Sequence, residues 1–218
     1  MDRIISVTGR GVVQAEPDIA LLYVTISESG KDYAGVVKLS TAMTELVRIG
    51  IQRLDFQKDD LKTEYFAVEP CYRDDTSLAE ESAGELTGYK YIHKMKVELP
   101  LDNNKIGACI SELTKCTRNP LFNIAYSVKD VSGVKNMLLA RAVSDAREKA
   151  EILAQASGVN LGPLQKIDYS WTDRPVQSNT KPLLQVPDLS DASQRLKVNI
   201  IPESIVLKDE VTMVWGMQ

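Results

Sequence analysis

Residues 132–157 read SGVKNMLLARAVSDAREKAEILAQAS, and this stretch decides the fold. Small and apolar residues recur in it at helical spacing and predict one long helix, from about Ser132 to Ser157, with a narrow stripe facing inward. The stripe consists of Leu139, Ala142, Val143, Ala146, Ala150, Leu153, Ala154 and Ser157. Alanine lets a neighbouring backbone approach closely, and Gly158 favours the end of the helix. We therefore expect the alanine stripe to pack on a sheet.

The rest of the chain predicts two shorter helices and a series of strands. One helix starts at Ser29 or Asp32 and ends near Gly50, and the other runs from the cap Asp102 to about Lys115. Alternating segments predict strands near residues 4–15, 20–27, 64–71, 88–99, 120–129, 164–171 and 205–215. Because helices and strands do not alternate strictly, we expect an α+β fold, with a mixed, largely antiparallel sheet or sheets packed against three helices.

Gly9 and Gly11 interrupt the first predicted strand. A glycine pair can indicate a phosphate-binding loop, but here no helix follows it and no Lys-Ser/Thr pair completes the motif. Glycine inside a strand more often marks a bulge or a bend. We therefore predict a bulge or bend at these two positions.

The last predicted strand carries Val211, Met213 and Trp215 on one face. It either closes the chain's own sheet beside the first strand or pairs with a second copy of the chain. Before it, residues 172–197 are rich in proline and polar residues and predict an irregular excursion. Four apolar residues of the excursion and the last strand form our predicted partner surface: Leu183, Leu184, Val186 and Trp215. Deleting Pro175 to Ser193 should then lower the assembly state and leave the monomer folded.

His93, the single histidine, lies on the apolar face of the strand at residues 88–99. We interpret it as a core or half-buried residue, because no second histidine or cysteine cluster is available to share a metal. Lys90, Lys94 and Lys96 occupy the opposite face beside tyrosines. They favour a solvated sheet face over a nucleic-acid contact, because the chain carries a net charge of −4.

The composition is that of an ordinary globular protein, with 44% hydrophobic and 26% charged residues in 218. We expect a single domain over residues 1–218, with the excursion at about 172–197. No apolar run is long enough to insert in a membrane. Three cysteines, an odd number, fit a reducing compartment, and Cys109 and Cys116 predict buried apolar positions.

No set of residues in the sequence predicts catalysis. The chain has no nucleophile elbow, Walker loop, Cys-x-x-Cys pair or histidine cluster. The adjacent acids Asp59-Asp60 and Asp74-Asp75 are typical of solvated loops. We therefore predict no catalytic residues, no metal and no cofactor.

A series of short motifs is spread over nearly the whole chain: Ser6–Gly11 with Glu16–Ala20, Asp60–Thr63, Gly88-Tyr89, and Ala142–Ala154 with Gly158 and Leu161-Gly162. These motifs, in this order, resemble those of the SIMPL-domain family of bacterial proteins. The resemblance implies an α+β fold and, for some members, large homo-oligomers. Envelope members are associated with oxidative-stress defence, and many carry a signal peptide. The resemblance supplies no catalytic residues.

The leading functional prediction is a non-enzymatic, homo-oligomeric or partner-binding protein, with a possible role in the stress response. The alternatives are a small-ligand carrier with a cleft between sheet and helices, and an enzyme of unrecognised chemistry. We expect a homo-oligomer or a protein partner, and no nucleic acid. Because no signal segment precedes the first strand, we expect a cytoplasmic protein, or a periplasmic or envelope protein if a signal peptide has been removed.

Overall fold

The computed structural model describes residues 3–72, 85–116, 120–170, 175–180 and 200–218. Within these residues the chain forms three α-helices, α1 (Tyr33–Gln52), α2 (Asn103–Cys116) and α3 (Val131–Ala156). The strands are β1 (Ile4–Ala15), β2 (Ile19–Gly30), β3 (Lys62–Tyr72), β4 (Leu86–Pro100), β5 (Leu121–Ser127), β6 (Leu161–Asp168) and β7 (Ile205–Met217). They form two sheets, in the orders β1-β7-β6 and β3-β4-β2-β5. The predicted α+β fold with three helices is confirmed.

The chain divides into two compact units. The first comprises Met1–Asp18, Tyr126–Thr180 and Pro202–Gln218, and the second is built on Ile19–Ala125. The single domain over residues 1–218 stays a prediction. Most of the predicted excursion lies outside the described residues, but Val176 within it is buried beside Val128 and Ile205. A deletion from Pro175 would therefore remove part of this core and should lower the stability of the monomer, and the expectation that the monomer stays folded remains a prediction.

In the first unit, α3 packs along β1 and β7 through a line of residues four apart. The buried residues are Leu138, Ala142, Ala146, Ala150 and Ala154. The predicted alanine stripe is thus confirmed, but its edges are not. Leu138 rather than Leu139 is the buried leucine, while Leu153 is 49% exposed and Ser157 is exposed. Steps of four residues, without the intervening steps of three, keep the contact to one narrow line on the helix.

Gly9 and Gly11 lie directly beneath this line. β1 pairs with β7 in an unbroken antiparallel register from Ile4–Gly216 to Ala15–Ile205, so the predicted bulge is wrong. A Cβ atom built on Gly9 would lie only 2.6 Å from the Ala146 Cβ and still closer to the helix backbone. The two glycines therefore remove side chains where the helix and strand backbones meet, which is the other common reason for glycine in a strand.

In the second unit, α1 and α2 pack on the four-stranded sheet, mainly over β2 and β4. Asp32, one of the two predicted caps, starts α1, and its carboxylate accepts a hydrogen bond from the Gly35 N–H at 2.7 Å. The buried residues of α2 include Ile106, Ile110 and Leu113. Alternation along β4 buries Tyr91, His93, Met95, Val97 and Leu99. This unit therefore has its own helix-on-sheet core.

Candidate functional site

β7 is the middle strand of the three-stranded sheet, with β1 on one side and β6 on the other. The last strand therefore closes the chain's own sheet beside the first strand, which confirms that alternative. Both edges of β7 are occupied, so it has no edge left to offer a second copy. The free edges of this sheet belong to β1 and β6.

The free edge of β1 is covered by polar side chains of α3. Arg141 donates to the Val12 carbonyl oxygen at 2.7 Å, and the Arg10 N–H donates to the Asp145 carboxylate at 2.6 Å. Lys149 donates to the Asp145 carboxylate at 2.7 Å and also reaches the Thr8 carbonyl oxygen at 3.5 Å. These bonds, from Lys149 first and from Arg10 second, lower the pKa of Asp145. An edge whose groups are bonded in this way does not recruit another strand.

Among the residues that the structure describes, none covers the edge of β6 in this way. Leu164 and Ile167 are 46% and 53% exposed, and every residue from Pro163 to Asp168 is exposed. Among the residues described, no side chain bonds to the outer backbone groups of this strand. Such a strand can hydrogen-bond an added extended segment.

An apolar groove of about 470 Å³ lies between β6 and α3, and we call it the β6 groove. Its lining comprises Val143, Arg147 and Glu151 of α3, Leu161, Gly162 and Leu164 of β6, and Met213 and Trp215 of β7. Arg147 and Glu151 form an ion pair at 2.9 Å on its helical wall. The groove thus combines apolar residues with charged ones beside an open strand edge, the arrangement that accepts an extended peptide.

The four residues of the predicted partner surface fall in two places. Trp215 lines the β6 groove, although its side chain is only 5% exposed and packs with the alanines of α3. Leu183, Leu184 and Val186 lie outside the described residues. The partner surface therefore stays a prediction. The residues that sequence reasoning missed are Leu161, Leu164 and Val143, because their common location depends on which strands neighbour one another.

His93 is buried between α1 and β3, which confirms its predicted core position. Thr44 Oγ1 donates to the Ser40 carbonyl oxygen at 2.8 Å, so it accepts from His93 Nδ1–H at 2.9 Å. His93 Nε2 then accepts from the Thr63 hydroxyl at 2.8 Å. Burial, and to a lesser extent the charge of Arg48, lower the pKa of His93. With both nitrogens bonded and the ring neutral, this histidine acts as a structural link.

The lysines of β4 lie on the opposite face, as alternation predicts. The Lys94 ammonium lies 5.3 Å from the centre of the Tyr65 ring, and Lys96 pairs with Glu64 at 2.9 Å. These contacts engage two of the three lysines within the sheet itself. Cys109 is fully buried, as predicted, and burial raises the pKa of its thiol to about 12. The side chain of Cys116 lies outside the described residues.

A larger cleft of about 950 Å³ lies in the first unit, beside β1, β7 and the start of α3. More than half of its lining residues are polar or charged, including Arg10, Lys135, Lys208, Asp209 and Glu210. A small-molecule carrier more often has a mainly apolar cavity with a few polar groups. The cleft therefore favours that alternative less than the β6 groove favours an extended segment.

Among the residues for which the structure gives positions, no three histidine, cysteine, aspartate or glutamate side chains come together as a metal site. In the same part of the chain, no helix has both the length and the apolar character needed to cross a membrane.

A profile of the family named SIMPL, protein of unknown function (DUF541), matches residues 5–215. The chain belongs to the SIMPL family. This match covers both compact units and agrees with the resemblance noted in the sequence. Membership does not by itself assign an activity, because the family description gives none.

Named relatives of this SIMPL chain are bacterial. The 26 kDa periplasmic immunogenic protein of Brucella melitensis biotype 1 is 27% identical over 173 residues, which cover 78% of this chain and 67% of that protein. The uncharacterised protein YggE of Edwardsiella ictaluri is 26% identical over 193 residues, 85% of this chain and 76% of its own length. YggE of Escherichia coli K12 is 24% identical over 165 residues, 74% and 63% of the two chains.

Proposed function

We propose that this SIMPL protein is a non-enzymatic binding protein that assembles with another protein chain, in the first place a second copy of itself. The observation that carries the proposal is the open edge of β6 beside the β6 groove. An added extended segment would bond to the backbone of β6 and place a side chain between Leu161 and Leu164. The contrast with β1, whose edge α3 covers, supports the choice of β6.

The proposal is tested by measuring the mass of the purified protein with light scattering on a sizing column at micromolar concentration. We expect a mass above that of one chain. Leu164→Glu should lower it, because a carboxylate buried at the contact would lose its hydration. Ile152→Glu is the matched control, since Ile152 is exposed on α3 and does not line the groove.

Two results would contradict the proposal. One is a single-chain mass for the intact protein, combined with the failure of the immobilised protein to retain any other protein from an extract of the native bacterium. The other is an equal loss of mass in Leu164→Glu and Ile152→Glu, which would trace the effect to added charge in general. Retention of another protein by a single-chain species, lost in Leu164→Glu only, would assign the groove to a different partner.

We also propose a periplasmic location in place of the predicted cytoplasmic one. The support is the name of the Brucella relative, which describes that protein as periplasmic. A role in the stress response rests on the family resemblance alone and remains part of the proposal. Fractionation of the native bacterium tests the location, and recovery of the protein in the cytoplasmic fraction would contradict it.

A further inference from the structure

β3 is the outermost strand of the four-stranded sheet and pairs only with β4 among the strands described. Its register with β4 is continuous from Tyr65 to Cys71 and shifts at both ends of that run. Tyr65 and Phe66, which point to opposite faces, are 43% and 47% exposed. Large aromatic residues exposed on both faces of an edge strand are unusual, because such an edge invites pairing.

Both rings are already held in position by β4. Phe66 meets His93 edge to face with ring centres 5.3 Å apart, and Tyr65 lies against the Lys94 ammonium. Ordering these side chains on association would therefore cost little entropy.

Pro70 indicates which backbone groups face outward. A proline in an edge strand has its nitrogen on the side away from the sheet, since it cannot donate to the ladder. The outward side alternates along a strand, so Val68 and Phe66 share the orientation of Pro70. Their N–H and C=O groups are then the ones offered to a new strand.

The run Tyr65-Phe66-Ala67-Val68-Glu69 is complementary to itself about Ala67. In an antiparallel pair centred there, Phe66 lies opposite Val68 of the second copy, an aromatic and β-branched pair that occurs twice. Tyr65 lies opposite Glu69, so its hydroxyl can donate to that carboxylate. Within one chain the same two groups are 3.4 Å apart, a long hydrogen bond. No like charges lie directly opposite one another in this arrangement.

We propose that β3 pairs with β3 of a second copy, antiparallel about a two-fold axis at Ala67. The inference rests on the proposed assembly function but uses a surface on the other compact unit. The two outward residues, Phe66 and Val68, bond reciprocally across the axis, and the two Ala67 residues form the central pair without hydrogen bonds. A two-fold contact of this kind closes on itself and yields a dimer.

The test is disulfide formation between copies. Residues opposite each other in a pair without hydrogen bonds have Cα atoms about 4.5 Å apart, within disulfide reach. Ala67→Cys, in a background with Cys71→Ser and Cys116→Ser, should therefore give a species of twice the chain mass under mild oxidation. Glu69→Cys in the same background is the control. It lies on the same face, but its own copies would be about 13 Å apart at 3.3 Å per residue, beyond disulfide reach.

The outcomes separate this inference from the proposed function. Cross-linking of Ala67→Cys and not of Glu69→Cys supports the two-fold pairing. Equal cross-linking of the two variants overturns the register, and no cross-linking in a protein whose mass shows assembly overturns the β3 contact alone. A single-chain mass with no cross-linking overturns both proposals.

Discussion

The Arg10 N–H donates to the Asp145 carboxylate at 2.6 Å, which joins the free edge of β1 to α3. Because Gly9 and Gly11 bring the strand and the helix together, a side chain as short as aspartate reaches the strand backbone. Close packing and edge protection therefore depend on the same few residues. In this chain, two glycines on β1 allow side chains of α3 to bond the edge backbone groups that a neighbouring strand would otherwise bond.

Ala146→Leu should overfill the narrow space between the alanine line of α3 and the strand β1. Ala146 is fully buried against β1, and added methylene groups in a packed core typically cost about 1–3 kcal/mol. The urea midpoint of unfolding measures the change. Ala140→Leu is the matched control, because Ala140 is exposed on the same helix. An unchanged midpoint for Ala146→Leu would show that this position is not packed.

Asp145→Ala should lower the free energy of unfolding by about 0.5–1.5 kcal/mol, the usual net value of one hydrogen bond. The lower end is expected, because a third of the Asp145 side chain is exposed and water can replace part of the contact. The pKa of Asp145 is lowered in the folded protein, so its contribution is present above about pH 3.8 and is lost as the pH falls further. Glu148→Ala, an exposed carboxylate of the same helix, should have little effect, and equal losses in the two variants would contradict the edge contact.

His93 should make the protein less stable below about pH 6.5. Its pKa is lowered from 6.5 on folding, so the unfolded chain binds the proton more readily. Stability is then complete above that pH and falls as the pH drops toward the folded-state pKa. Urea unfolding at pH 7.5, 6.0 and 5.0 measures this dependence. Because His93 is the single histidine, His93→Gln should remove the difference between pH 7.5 and 6.0. An identical difference in the variant would be evidence against this origin.

Replacing Leu183, Leu184 and Val186 with serine should lower the assembly mass without lowering the unfolding midpoint. These residues belong to the predicted partner surface, and loss of apolar area at a contact weakens association. Light scattering and urea unfolding of the same samples separate the two effects. Serine at Leu121, which is exposed on β5, serves as the control. A lower midpoint for the triple variant would show instead that the three residues belong to a folded core.

The sequence predicted α3 almost to the residue, as 132–157 against Val131–Ala156, because alanine spacing and Gly158 are local signals. The strand β6 was placed too late, at 164–171 instead of Leu161–Asp168. Glycine and proline usually interrupt a strand, but Gly162 and Pro163 lie inside β6, because proline is tolerated on an edge strand. Whether a strand lies at an edge depends on the order of strands in the sheet, which periodicity does not contain.

The β6 groove illustrates the same limit for the candidate site. Val143, Leu161 and Trp215 come from three elements that are distant in the chain, and each has an ordinary apolar role in its own segment. Of the four predicted partner residues, only Trp215 is among the residues that the structure describes, and it lines this groove. The sequence shows Gly9 and Gly11 as a glycine pair within a strand. A glycine at a bulge and a glycine at a close helix contact give the same sequence pattern, so the pattern does not distinguish them.

The contacts between α3 and β1 also depend on two repeat distances, one along the helix and one along the strand, that differ slightly. Four helical residues advance about 6.0 Å, whereas two strand residues advance about 6.4–6.8 Å. Arg141, Asp145 and Lys149 can therefore follow Val12, Arg10 and Thr8 in step for a short distance, and the bond at one end of the series is the longest, at 3.5 Å. Inserting one residue into this part of α3 would turn the following side chains by about 100° and take them away from their partners on β1.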